Sequence, residues 1–301
     1  MEFAISGVVI SPILLASVGF FVGILGGFFG VGGGFLAGPM MFLSGVPMNF
    51  VVGTDLAHMT GKSIVAARRH RTLGNVDIKL GILMVAGTIP GVEIGAQIIE
   101  ALKKSGSVDL FVGIAYVTIL LMISLFTARE SMKSLRMNQS DVINAKDVMK
   151  FDTATKFLQK INLPPMVPLP RSGIKQISLW LILGVGFITG ILAGILGVGG
   201  GFLRFPMMIY LLGIPTHVAV GTDLFEIMFS AGFGTLTHAL KGNVDIMMAL
   251  IMHTGAALGA QIGAILTRFF SGPHIRLYFS ILPLIGSILV IYQLLNGVPS
   301  H

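Results

Sequence analysis

Gly30-Val-Gly-Gly-Gly-Phe35 is written a second time as Gly197-Val-Gly-Gly-Gly-Phe202. Three more signatures recur in the same order at a nearly constant offset. Val52-Gly-Thr-Asp-Leu56 returns as Val220-Gly-Thr-Asp-Leu224, Gly74-Asn-Val-Asp77 as Gly242-Asn-Val-Asp245, and Gly95-Ala-Gln97 as Gly259-Ala-Gln261. Each unit is far longer than a solenoid repeat of about 20–50 residues. The chain therefore reads as a duplicated domain. Residues 1–128 form one repeat, 177–301 the other, and 129–176 a linker.

Composition supplies the solvent. Of 301 residues, 54% are hydrophobic and 11% charged; a soluble domain averages about 25% charged. The mean hydropathy is +0.89. One soluble core of this size cannot bury so much apolar surface, so the bilayer must. The expectation is an all-α, polytopic integral protein of the cytoplasmic membrane. The absence of cysteine excludes disulfides, thiolate metal sites and cysteine nucleophiles. The net charge of +7 reflects the basic residues that orient membrane proteins, and no nucleic-acid partner is expected. The 17 methionines are dispersed without metal-site spacing, and no cofactor is expected. The amino-terminal stretch lacks a basic region and a cleavage site, so it does not read as a removable signal peptide.

Each half parses into five apolar segments. They lie near Pro12–Phe29, Phe35–Ser44, Met48–Ala67, Val76–Leu102 and Val108–Thr127, then near Ile177–Leu196, Phe202–Leu212, Thr216–Leu240, Val244–Phe269 and Ile275–Leu295. The second of each set is too short: ten helical residues reach roughly 15 Å, about half the hydrocarbon core. Each follows a Gly-rich loop that cannot hold a helix. Irregular backbone at membrane depth survives only where it is buried in protein or lines a wet cavity. A broken or re-entrant helix is therefore expected once per half. Gly19, Gly23 and Gly27 share one helix face, a small-residue seam for close packing. The linker carries nine Lys/Arg against four Asp/Glu, which points to the cytoplasm. Val148–Phe151 and Phe157-Leu158 hint at a surface helix within it.

Crossing number sets the relation of the halves. Five crossings each makes them inverted. Arg68, Arg69, Arg71, Arg268 and Arg276 are then cytoplasmic, with Lys103, Lys104 and Lys241 outside. If each short segment joins its predecessor in a single crossing, the halves are parallel. The positive-inside rule prefers inversion.

Two kinds of position can carry chemistry. The first is matched between halves. The loops Gly32-Gly33-Gly34 and Gly199-Gly200-Gly201 each open a half-helix, whose free N–H groups and partial positive charge suit an anion. Neither is a Walker loop or a dinucleotide fingerprint. Thr54 and Thr222 offer hydroxyls. Asp55 and Asp223 cost roughly 2.5–3.5 kcal/mol each inside a membrane, so they must hold the loops, couple protons, or form an aspartyl dyad. Gln97 and Gln261 either bond between helices or line the path. Asn75 and Asn243 read as helix starts, and His70 and His238 as interfacial.

The second kind differs between halves and so bears on the substrate. Arg204 faces Ala37 in the alignment, Lys62 faces Ser230, His58 faces Glu226, His253 faces Ile89, and Glu93 faces Ala257. Arg204, three residues past the second loop, reads either as an obligate cation for an oxyanion or as a side chain snorkelling to the interface. Lys62 is either a second cation or the partner of Asp55 or Glu93. His58, one turn from Asp55, is either a proton relay or a satisfied polar contact.

As a set, these motifs resemble the TauE/SafE sulfite-exporter family, also called TSUP. The resemblance rests on Gly-Val-Gly-Gly-Gly-Phe followed by proline, then Gly-Val-Pro or Gly-Ile-Pro, Val-Gly-Thr-Asp-Leu, Gly-Asn-Val-Asp and Gly-Ala-Gln, all in duplicate. It implies a transporter, not an enzyme, that exports or less often takes up small sulfur-containing or organic anions such as sulfite or sulfoacetate. Alternating access coupled to protons or an ion gradient is the expected mechanism, and a homodimer is allowed. An intramembrane aspartyl enzyme, an anion channel and a membrane sensor remain the rivals.

Overall fold

The structure is a computed structural model and describes residues 1–103, 108–140, 163–196 and 199–296. Lys104, Gly197, Val198 and the linker stretch 141–162, with its expected surface helix, lie outside them. The first half contains α1 (Pro12–Phe29), α2 (Gly34–Leu43), α3 (Met48–Thr72), α4 (Ile78–Lys103) and α5 (Val108–Ser140). The second contains α6 (Leu179–Leu196), α7 (Gly201–Tyr210), α8 (Thr216–Leu240), α9 (Ile246–Leu266) and α10 (Gly272–Asn296). The two ten-residue helices, α2 and α7, stand where the short segments were expected. Three helical stretches among the described residues are long and apolar enough to cross a membrane by length and composition: Pro12–Phe29, Ile78–Gly95 and Ile246–Phe269.

The polarity is that of a membrane protein. Ile13, Phe21, Ile188, Leu236, Leu250 and Leu258 face outward. Asp55, His58, Lys62, Arg204, Asp223 and Glu226 are buried. Lipid solvates the outer apolar surface and protein must satisfy the inner polar groups.

The most extensive helix pairings run across the halves. α1 packs on α9, α4 on α6, α5 on α10 and α3 on α8. The glycine seam sets the first pair. A Cβ on Gly19, Gly23 or Gly27 would overlap the backbone of Met252, Ala256 or Ala260 in turn. Residue numbers rise together, so α1 and α9 run parallel. Gly87, Gly91 and Gly95 meet Leu183, Phe187 and Ile191 in the same way, making α4 and α6 parallel. α3 and α8 run antiparallel. Gly53 meets Asn243 near the end of α8, Gly221 meets Asn75 beyond the end of α3, and the hydroxyls of Thr60 and Thr235 lie 3.3 Å apart at the crossing.

Two β-hairpins add to the helical body. β1 (Glu2–Phe3) pairs with β2 (Val8–Val9), and β3 (Met166–Leu169) with β4 (Ile174–Ser178), both antiparallel. Each immediately precedes the first helix of its half. The 129–176 linker is thus not a separate body where it is described. α5 continues through it to Ser140, and the β3–β4 hairpin docks on the turn before α4. There Ser172 donates to Asp77 Oδ2 at 2.7 Å and Lys79 to the Pro168 carbonyl at 3.2 Å. The β1–β2 hairpin makes the equivalent contact, with Ser6 Oγ donating to Asp245 Oδ2 at 2.8 Å.

Candidate functional site

The duplicated motifs meet one another across the halves. In Val-Gly-Thr-Asp-Leu, glycine makes room for the Gly-Asn-Val-Asp turn of the other half. The threonine then accepts a backbone hydrogen bond from it. The Asp77 N–H donates to Thr222 Oγ1 at 3.0 Å, and the Asp245 N–H to Thr54 Oγ1 at 3.0 Å. Asp77 and Asp245 also accept from the Leu80 and Met248 N–H groups at 3.1 Å, capping α4 and α9. Thr54 and Thr222 thus each accept a hydrogen bond that joins the halves. His70, in the last turn of α3, is buried and bonds through Nε2 to the Gly27 carbonyl at 2.8 Å.

The aspartates of the same motif reach the short helices. Gly33 (φ 74°) and Gly200 (φ 70°) take the left-handed conformation that glycine adopts freely. Their carbonyls accept the first helical bonds of α2 and α7. A Cβ on Gly34 would lie 2.7 Å from Asp55 Oδ2, and one on Gly201 would lie 3.0 Å from Asp223 Oδ2. Each half-helix N-terminus therefore already faces a carboxylate of the protein itself, a favourable charge–dipole arrangement. The loops converge on Met59 and Ile227. Met59 touches the Gly32 and Gly199 positions, and Ile227 the Gly32 and Gly201 positions. These two apolar side chains close the centre.

From here the halves diverge. Arg204, on the first turn of α7, is fully buried. Its Nε bonds Asp223 and its Nη2 bonds Glu226. Ser230 donates to Glu226 at 3.2 Å. The expected free counter-charge is thus neutralised internally, because two carboxylates one turn apart on α8 take the guanidinium. Glu226 had been legible only as the residue facing His58. Its role as a partner of Arg204 depends on the phase of α8 against α7.

The first half has Ala37 in place of Arg204. Asp55 pairs with His58 instead, Nδ1 to Oδ1 at 3.3 Å. One turn further, Lys62 is 1% exposed. Its ammonium lies 2.9 Å from where a Gly33 Cβ would stand, in the curve of the first glycine loop. It has no hydrogen-bond partner among the described residues. His58 Nε2 and His253 Nδ1 are also buried and have no hydrogen-bond partner among the described residues, and His253 packs over Gly61 beside this cluster. Glu93 is exposed and accepts from Gln97 at 3.1 Å, so it is not the partner of Lys62. Gln97 and Gln261 lie on the outer faces of α4 and α9; the Gln261 amide bonds the Ala257 carbonyl of its own helix. Neither lines the central cluster, since helix phase turns both outward while Gly95 and Gly259 take the packed face.

The family model of the sulfite exporter TauE/SafE matches residues 15–290. The chain belongs to the TauE/SafE sulfite exporter family. It is a membrane transporter and not an enzyme, so Asp55 and Asp223 are not a proteolytic dyad. Among its relatives is the probable membrane transporter protein YunE of Bacillus subtilis, 27% identical over 300 residues, covering 97% of this chain and 98% of that protein. The probable membrane transporter protein YjnA of the same organism is 24% identical over 257 residues, 84% of this chain and 89% of that protein. Sulfite exporter TauE/SafE family protein 3 of Arabidopsis thaliana is 32% identical over 83 residues, 28% of this chain and 17% of that protein. No solved structure matches the chain.

Proposed function

We propose that this protein is a secondary transporter that exports small sulfur-containing or organic anions, sulfite and sulfonates among them, across the cytoplasmic membrane. One observation carries the reading. The buried Lys62 ammonium points into the first glycine loop with no hydrogen-bond partner among the described residues. A buried cation without a partner is costly, and a transported anion would supply one. The second loop is different, because Glu226 already occupies the corresponding cation. Transport therefore runs through one anion site per chain, built by Lys62, His58, His253 and Gly32–Gly34. Arg204 with Asp223 and Glu226 forms a structural counterpart.

The antiparallel crossing of α3 and α8 supports inverted halves. A two-fold axis relating them must lie perpendicular to both, in the membrane plane, as in alternating-access carriers. Orientation follows from charge. Arg68, Arg69, Arg71, Lys79, Arg171, Arg268 and Arg276 gather at the end that holds the β3–β4 hairpin, and Glu2 and Lys241 at the other. The first end is cytoplasmic by the positive-inside rule. Rocking the halves about Met59 and Ile227 would expose the site alternately. The family description, sulfite exporter, supports the outward direction.

Proteoliposomes assayed with labelled sulfite, thiosulfate, sulfonates and carboxylates test this. The expected result is trans-stimulated exchange of one of these anions, reduced at least tenfold in Lys62→Met. Flux without trans-stimulation identifies a channel, and no anion flux at all sinks the reading.

A further inference from the structure

We propose that His58 takes up one proton each time an anion binds, so that proton and anion travel together through this carrier. The inference rests on the anion site just described and concerns the atoms that close it. The Asp55 carboxylate can only accept a hydrogen bond, so the proton of the His58–Asp55 contact sits on Nδ1. A neutral ring has one proton. Its Nε2 is then a bare lone pair, buried and without a partner among the described residues, beside the ammonium of Lys62.

In the empty site this arrangement is self-consistent, since lone pair and ammonium attract. An entering oxyanion changes it. Oxygen against a bare nitrogen lone pair is repulsive, and contact becomes attractive only when Nε2 carries a proton. The added proton makes an imidazolium. It lies between the bound anion and Asp55, with a donor toward each. One N–H bond forms at Nε2 and one O–H bond breaks, in a hydronium ion of the water on the side where the anion enters, which is left as neutral water. The proton leaves with the anion on the other side. The groups facing His58 are few. Asp55 and Lys62 lie on its own helix and His253 on α9. α1 carries no charged residue, and the α8 carboxylates are engaged by Arg204. Asp55 thus acts as a positioning residue that fixes the tautomer and makes binding require a proton. A dianion leaving with one proton carries one net negative charge, which an inside-negative potential drives outward.

The test uses thiosulfate and methanesulfonate, both fully ionised near neutrality, so neither brings a proton of its own. Binding to the purified full chain is measured from pH 6 to 9, and proton movement is followed with a pH dye in proteoliposomes. For the wild type the expected results are affinity that falls about tenfold per pH unit at the alkaline end, and one proton moved per anion. His58→Gln binds more weakly and loses the pH slope, because glutamine donates without titrating. Asp55→Asn also loses it, because asparagine can donate to Nδ1 and leave the proton on Nε2. A pH-independent wild-type affinity overturns the proposal. So does a full slope in either variant, or a slope that disappears in Glu226→Gln instead. If the wild type binds neither anion, the anion site itself is refuted.

Discussion

At the residue scale, the most consequential side chain is one whose charge is fully spent. Arg204 holds Asp223 and Glu226 with none of the three exposed. Removing it strands two buried carboxylates, and breaking a buried pair in this way costs about 3–5 kcal/mol. Arg204→Met should therefore unfold at markedly lower temperature in detergent, and Arg204→Met combined with Glu226→Gln should recover part of the loss. A single variant as stable as the wild type would mean the cluster is not closed as described. The threonines give a smaller prediction. Thr222→Val leaves the Asp77 N–H without its 3.0 Å acceptor, a loss of about 1–3 kcal/mol. Thr54→Val should match it, because Asp245 depends on Thr54 in the same way. Thermal stability of the two variants measures this, and a drop in only one would show that the two joints differ in strength.

At the element scale, glycine decides which helices can meet. Gly23 and Gly259 lie against the Ala256 and Phe20 backbones, so Gly23→Val or Gly259→Val should wedge α1 from α9 and abolish folded protein. Gly184 on α6 has open space around it, and Gly184→Ala should fold normally; size-exclusion profiles of detergent extracts would separate the two cases. This layer was legible in the sequence, because a four-residue glycine spacing defines a face whatever its partner. The partner was not legible. Which half supplies it depends on how the chain crosses over, and spacing within one helix carries no such information. The hairpins were missed for another reason. Ser6-Gly7 and Ser172-Gly173 are a repeated pair, but one sits at the terminus and the other inside a stretch read as linker. Only their shared target, the capping aspartate of the other half, reveals the correspondence. The candidate site was half legible. Lys62, His58 and Asp55 stood out as polar residues on one membrane segment. The pairing of Arg204 was not legible, because its neutralising carboxylates lie on a different helix and no sequence pattern sets α7 against α8.

At the scale of the whole molecule, the antiparallel crossing of α3 and α8 makes a claim that can be checked from outside the membrane. An axis lying in the membrane plane must send equivalent positions to opposite sides. The two hairpins supply such positions. Ile5 precedes Ser6 and Arg171 precedes Ser172, both side chains are exposed, and the two serines bind equivalent aspartates at opposite ends of the helices. Because the chain has no cysteine, Ile5→Cys and Arg171→Cys each introduce the sole thiol. In intact cells a membrane-impermeant maleimide should label the cysteine at position 5 directly, and the one at 171 only after permeabilisation, if the arginine-rich end faces the cytoplasm as proposed. Reversed sidedness would leave the inversion standing and turn the protein over, placing the basic end outside against the charge rule. Labelling of both from the same side would require parallel halves. The crossing of α3 and α8 would then have to be parallel, and Thr60 could not meet Thr235 while Gly53 meets Asn243 and Gly221 meets Asn75.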